Sequence, residues 1–257
     1  MTTFLLIRHA EHDLLGRVLA GRKPGVHLNP AGKVQAERLA RRLATLKIDA
    51  LYSSPLERAG DTAWPLATST GLELQIAEEF DEIDFGEWTG KSFDALNADP
   101  QWRQFNTKRS ISCAPGGEWM LEVQARLVRK LRELHENFSA TIAIVSHGDV
   151  IKALVAHYAG IPLDLFHRVE ISPASLSIVT LDGSEPRILL VNETELRSRF
   201  GCAPLTARWK MFASKVKAKF VFVGLDLLSR TKRQLKQAKF PSAAMSRWRS
   251  SSSKSVG

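Results

Sequence analysis

Cysteine is almost missing from this 257-residue chain, which carries only Cys113 and Cys202, far apart in the sequence. Two lone thiols without metal-like spacing exclude a disulfide framework and a cysteine zinc site. Long apolar runs are missing too. Stretches such as Phe220 to Leu228 fall well short of the roughly 20 residues that a membrane-spanning helix requires. The opening residues lack a basic region and a small-residue cleavage site, because Met1 to Ile7 runs straight into Arg8, His9 and Glu11. No signal peptide is expected, and the expected location is cytoplasmic. No internal repeat is visible. What is present, 44% hydrophobic and 25% charged residues, describes a globular chain able to bury a sizeable core and excludes fibrous or wholly disordered readings.

Acidic residues are also lacking, but only at one end. Residues 1–197 hold 22 Lys+Arg and 26 Asp+Glu, whereas residues 198–257 hold 14 basic side chains and a single acid, Asp226. The net charge of +9 therefore belongs to the end of the chain. Such a break predicts a balanced domain over 1–197 followed by a basic extension over 198–257. That extension mixes Trp209, Met211, Phe212 and Phe220 with its basic residues. This composition suits an anionic membrane surface, nucleic-acid phosphates, or an extension without a fixed partner.

Within the body, short apolar runs alternate with amphipathic stretches, the pattern of a sheet covered by helices. Strands are expected at Phe4–Ile7, Asp49–Ser53, Leu72–Ile76 and Ile142–Val145. Asn29-Pro30 and Ser54-Pro55 both read as a helix cap followed by proline at the first helical position. The first of these helices carries Val34, Leu39, Leu43 and Leu46 at helical spacing, and a long amphipathic helix is expected over Glu118–Phe138 with Leu121, Leu127, Leu131 and Leu134 on one side. Asp182-Gly183 between two β-rich runs predicts an edge hairpin. The expected fold is α/β, three layers with a mainly parallel central sheet flanked by helices, plus the basic C-terminal extension.

Ligands of parallel sheets sit at the carboxyl ends of strands. Two histidines occupy such ends, His9 after the first strand and His147 after Ile142–Val145. Arg8 adjoins one of them. Arg58 falls near the start of a helix and Glu82 in an acidic loop. Guanidinium forks and helix N-termini match phosphate oxygens, and a flanking arginine keeps an imidazole unprotonated and nucleophilic. Such a site calls for no metal and no cofactor. Taken singly, an arginine placed like Arg58 is more often a solvated ion-pair partner than a ligand, and Glu82 is one of several neighbouring acids. His12, His27, His135, His157 and His167 read as ordinary histidines, and Lys108 and Arg109 as solvated cations.

Four segments together carry a resemblance: Leu6-Ile7-Arg8-His9-Ala10-Glu11, Ser53-Ser54-Pro55-Leu56-Glu57-Arg58-Ala59, Asp81-Glu82-Ile83-Asp84-Phe85-Gly86, and Ser146-His147-Gly148. In order and spacing they resemble the motifs of the histidine phosphatase superfamily, the phosphoglycerate mutase-like family. The resemblance implies a two-step phosphoryl transfer in which His9 becomes a phosphohistidine. Arg8, Arg58 and His147 would clamp the phosphoryl oxygens, and Glu82 would act as general acid and then base. Arg17 and Gly148 would contact the substrate, a small phosphorylated metabolite. Ala10 stands where the family commonly has glycine, and Asp61 where it often has glutamine. The long insertion of glycerate mutases is missing from Asn97–Trp119, which favours a phosphatase over a phosphotransferase of the mutase type. A weakly catalytic binding module recruited through the extension is the reading from another class. Trp102, Phe105 and Trp119 suit either a substrate pocket or simple packing.

Overall fold

The structure is a computed structural model, and residues 1–183 and 185–194 are described here. The basic extension expected over 198–257, and Cys202 with it, lie outside the described residues. Phe4 to Ile7 are each at most 1% exposed, and complete burial of an aliphatic or aromatic side chain contributes about 1.5–3 kcal/mol. Their run forms the centre of β1 (Thr2–Arg8). The other strands are β2 (Ala50–Ser53), β3 (Leu74–Ile76), β4 (Thr141–Ser146), β5 (Leu176–Asp182) and β6 (Glu185–Glu193). They make one sheet in the order β3-β2-β4-β1-β5-β6. β3, β2, β4 and β1 run parallel, β5 pairs antiparallel with β1, and β6 closes the expected edge hairpin. The sheet is thus mostly parallel.

Among the described residues, six α-helices connect the strands: α1 (Pro30–Leu43), α2 (Glu57–Thr70), α3 (Phe93–Ala98), α4 (Pro100–Thr107), α5 (Met120–Asn137) and α6 (Gly148–Ala159). Strand side chains alternate between faces. Phe4, Leu6, Ile142 and Ile144 join one cluster with Leu127 and Leu131 of α5 and Val150 and Leu154 of α6. Their alternates face the other way, where α2 packs on β2 and β4 and against α1. Helices therefore cover both faces, the three layers expected.

The start of α1 follows the sequence signal, with the Asn29 side chain accepting from the Gly32 N–H at 2.8 Å and Pro30 at the first helical position. The start of α2 does not. Leu56, not Ser54, is its N-cap, because Ser54 turns inward to donate to Asp81 and contact His147. Two residues expected on apolar faces are exposed, Val34 at 45% and Leu121 at 52%. Each lies on the side of its helix turned away from the buried face, which Ala36, Leu39 and Leu43 form in α1 and Val123, Leu127 and Leu131 in α5.

Candidate active site

The parallel pairing of β1 with β4 places Arg8 opposite Ser146, so His9 and His147 leave adjacent strands at the same end of the sheet. Their ring centroids stand 5.2 Å apart. The His9 N–H donates to the Ser146 carbonyl at 2.9 Å, fixing the backbone where the chain leaves the strand. Ala10 behind it is fully buried, has no positive φ, and donates to Thr62 Oγ1 at 2.9 Å. Alanine in place of glycine therefore meets no backbone conflict.

His9 Nδ1 lies 2.8 Å from the Ala10 carbonyl. A carbonyl oxygen only accepts, so Nδ1 carries the proton and Nε2 keeps the lone pair. Burial first, then Arg58 and Arg8, holds this imidazole well below its ordinary pKa. The ring is thus neutral and nucleophilic at physiological pH.

His147 is fully buried behind the cavity, with Nε2 2.8 Å from Ser54 Oγ and Nδ1 3.3 Å from Arg58 Nη2. Guanidinium nitrogens only donate. Nδ1 is therefore the acceptor, and the Nε2 N–H donates to Ser54, which itself donates to Asp81 Oδ1 at 3.1 Å. Burial, then Arg58 and His9, lowers the pKa of His147 well below the usual value.

Arg58 is 1% exposed yet satisfies little of its donor capacity: Nη2 donates to the Gly21 carbonyl at 2.7 Å, while Nε and Nη1 are buried without a partner. Arg8 donates from Nη1 to the Ile171 carbonyl at 2.6 Å, and its Nε is likewise buried and unpartnered. Leaving a buried donor unpaired costs about 1–3 kcal/mol or more for a charged group. Three such donors beside one imidazole make an anion site. Gly148, the first residue of α6, lets Arg8 lie against the helix, since a Cβ there would stand 3.1 Å from Arg8 Nε and 3.2 Å from its Cζ.

Glu82 reaches the same point from the loop after β3. Its Oε1 accepts from the Ile83 N–H at 3.0 Å and its Oε2 lies 4.0 Å from Arg58 Nη2 and 3.7 Å from His147 Nδ1. Burial outweighs the arginines and pushes its pKa up to about 7. The loop is held from outside. Arg126 donates to the carbonyls of Asp81 and Glu82 and pairs with Glu118 at 2.8 Å, and Arg22 donates to the Glu82 carbonyl and to Glu118.

Arg8, His9, Arg58, Glu82 and Gly148 line one cavity of about 300 Å³. His147 stands behind that lining. Arg17 does not join it: it is exposed at the rim, and its carbonyl accepts from the Phe93 N–H. A larger cleft of about 910 Å³ lies on the outer side of the Glu82 loop, but its cations Arg22, Arg126 and Lys130 are all paired with carboxylates. The anion site belongs to the smaller cavity.

The mouth of that cavity holds Arg109, Lys152, His167 and Trp102. Arg109 is 2% exposed, pairs with Asp149 at 3.2 Å, and lies over the Phe105 and Phe166 rings at 4.2 and 4.7 Å. It is not the solvated cation expected. Lys152 shares Asp149 at 3.7 Å. Burial pushes Asp149 up, yet Arg109 and Lys152 outweigh it and hold its pKa below the usual value. Trp102 lines the cavity and packs edge-on against Trp88 at 5.3 Å, Phe105 is wholly in the core, and Trp119 is 42% exposed. His167 lines the mouth, and His12 lines the cavity beside His9. The signal for both histidines was only proximity in the fold. Among the described residues no group of three or more His, Cys, Asp or Glu side chains is arranged to hold a metal ion, and no helix is long and apolar enough to cross a membrane.

A strand-end imidazole, two arginines with idle donors and a protonatable carboxyl meet at one cavity, the groups that metal-free phosphoryl transfer requires. The histidine phosphatase superfamily (branch 1) matches residues 4–194, and the chain belongs to that family. It is 30% identical over 199 residues to phosphoserine phosphatase 1 of Hydrogenobacter thermophilus, covering 76% of this chain and 93% of that protein. It is 34% identical over 200 residues to a bifunctional protein of Mycobacterium tuberculosis, covering 75% of this chain but only 54% of that protein. Among solved structures, a mycobacterial glucosyl-3-phosphoglycerate phosphatase in complex with VO3 superimposes with a TM-score of 0.69 at 26% identity, over 75% of this chain and 99% of that one. The protein is a phosphatase enzyme.

Proposed function

We propose that the protein hydrolyses the phosphate monoester of a small metabolite through a phosphohistidine on His9, without a metal ion. His9 Nε2 attacks phosphorus in line with the ester oxygen, and a P–N bond forms as the P–O bond breaks. Glu82, whose pKa of about 7 leaves a large protonated fraction near neutral pH, passes its proton to the departing oxygen. Arg8 and Arg58 turn their unpartnered donors to the phosphoryl oxygens and neutralise the charge spread over them, the term that dominates such reactions. His147 stays neutral behind the two arginines, accepting at Nδ1 from Arg58 Nη2 and donating from Nε2 to Ser54, and so holds the Arg58 fork toward the phosphoryl group. In the second step the Glu82 carboxylate takes a proton from water as that water attacks phosphorus, and the P–N bond breaks to release phosphate and neutral His9.

The observation that carries this reading is the set of buried, unpartnered arginine nitrogens around a neutral imidazole. The relatives' names support a small substrate, since phosphoserine and glucosyl-3-phosphoglycerate are both phosphate monoesters of small molecules. The test is steady-state hydrolysis of an aryl phosphate with EDTA present. Wild type is expected to turn over and His9→Ala to lose at least 10³-fold in kcat with an unchanged melting temperature. Near-normal activity in His9→Ala would refute the nucleophile. A phosphorylated protein without turnover would favour the phosphotransferase.

A further inference from the structure

Beside the residues already given roles stands a third imidazole, His12. It is 5% exposed, its ring centroid is 5.2 Å from that of His9, and it lines the same cavity. Nδ1 is buried and has no hydrogen-bond partner. A buried imidazole without a partner weakens the fold, because the desolvation of its polar atoms is not repaid. Leucine or phenylalanine would fill the same space at less cost.

The protonation state follows from the surroundings. A sealed N–H without an acceptor is costlier than a sealed lone pair, so the proton sits on Nε2, the nitrogen left to face the cavity. Burial, then Arg58 and Arg8, brings the pKa of His12 down to about 4, so the ring is neutral. A neutral N–H donor is also what this position tolerates: a third full cation beside two guanidinium groups would be repelled, whereas an uncharged donor is not.

We propose that His12 is a substrate-contacting residue, whose Nε2–H donates to an oxygen of the phosphoryl group before and after its transfer to His9. The inference rests on the phosphatase reading above and adds a third side chain to the two arginines of the phosphoryl clamp. No proton changes hands, since the neutral ring acts only as a hydrogen-bond donor.

The experiment compares wild type, His12→Phe and His12→Gln by competitive inhibition with vanadate and by thermal melting with and without vanadate. Without vanadate, His12→Phe is expected to melt at or above the wild-type temperature, as removal of an unpartnered buried polar group predicts. With it, His12→Phe is expected to bind vanadate about tenfold or more weakly, since a hydrogen bond to a charged acceptor is lost. His12→Gln, which can still donate, should recover part of that loss. Unchanged vanadate affinity in both variants, or a His12→Phe that melts lower while binding vanadate normally, would overturn the proposal and leave His12 structural. If the wild type itself neither bound vanadate nor hydrolysed aryl phosphate, the phosphatase reading would fail instead.

Discussion

At the scale of single residues the site is built from groups held in the form that each needs. His9 is neutral because burial and two cations disfavour a further charge, and the Ala10 carbonyl selects the tautomer with Nε2 free. Glu82 is shifted the other way. With its pKa at about 7, it is protonated below that value, the form that the proposed first step requires of an acid. kcat/KM covers events through departure of the leaving group, so it should fall about tenfold per pH unit above about pH 7. His9, neutral far below 6.5, adds no fall on the acid side near neutrality. In Glu82→Gln that alkaline limb should vanish, with kcat/KM for an alkyl phosphate reduced by about 10²- to 10⁴-fold. An aryl phosphate with a good leaving group should lose less. A pH–rate profile of both substrates checks this, and an unchanged alkaline limb in the variant would reassign the acid.

At the scale of elements, the site depends on four strand ends and on how tightly the following segments turn. Gly148 opens α6 at the place where Arg8 crosses it. In Gly148→Ala the added Cβ would push only the far end of Arg8, so the fold should keep or slightly gain stability, by up to about 1 kcal/mol from the helix. The displaced guanidinium should lower kcat/KM by about tenfold or more. Melting temperature and kinetics measured together separate the two effects, and a stable variant with full activity would remove Arg8 from the clamp. The strands that carry the site were legible because Phe4–Ile7 and Ile142–Val145 are unbroken apolar runs, and the cap of α1 because Asn29-Pro30 acts locally. The start of α2 was not, since Ser54 is drawn into the Asp81–His147 network by residues distant in sequence. The short helices α3 and α4 carry too few residues for a clear period.

At the scale of the whole molecule, the sequence order of the four motifs becomes one cavity because parallel strands deliver each at the same edge of the sheet. Arg8, His9, Arg58, Glu82 and Gly148 could be named in advance from their motifs. His12 and Arg109 could not, because only tertiary packing buries one beside His9 and sandwiches the other between two aromatic rings. Arg17 was named and stays outside the lining, since the residues around it turn Leu15, Gly16 and Val18 inward instead. The central proposal is that His9 takes the phosphoryl group covalently. The direct measurement is rapid quench with labelled substrate, followed by acid and alkali treatment of the denatured protein. The account predicts one label per chain, stable in alkali, released in acid and absent from His9→Ala; hydrolysis with no label on the protein, or a label that persists in His9→Ala, would contradict it.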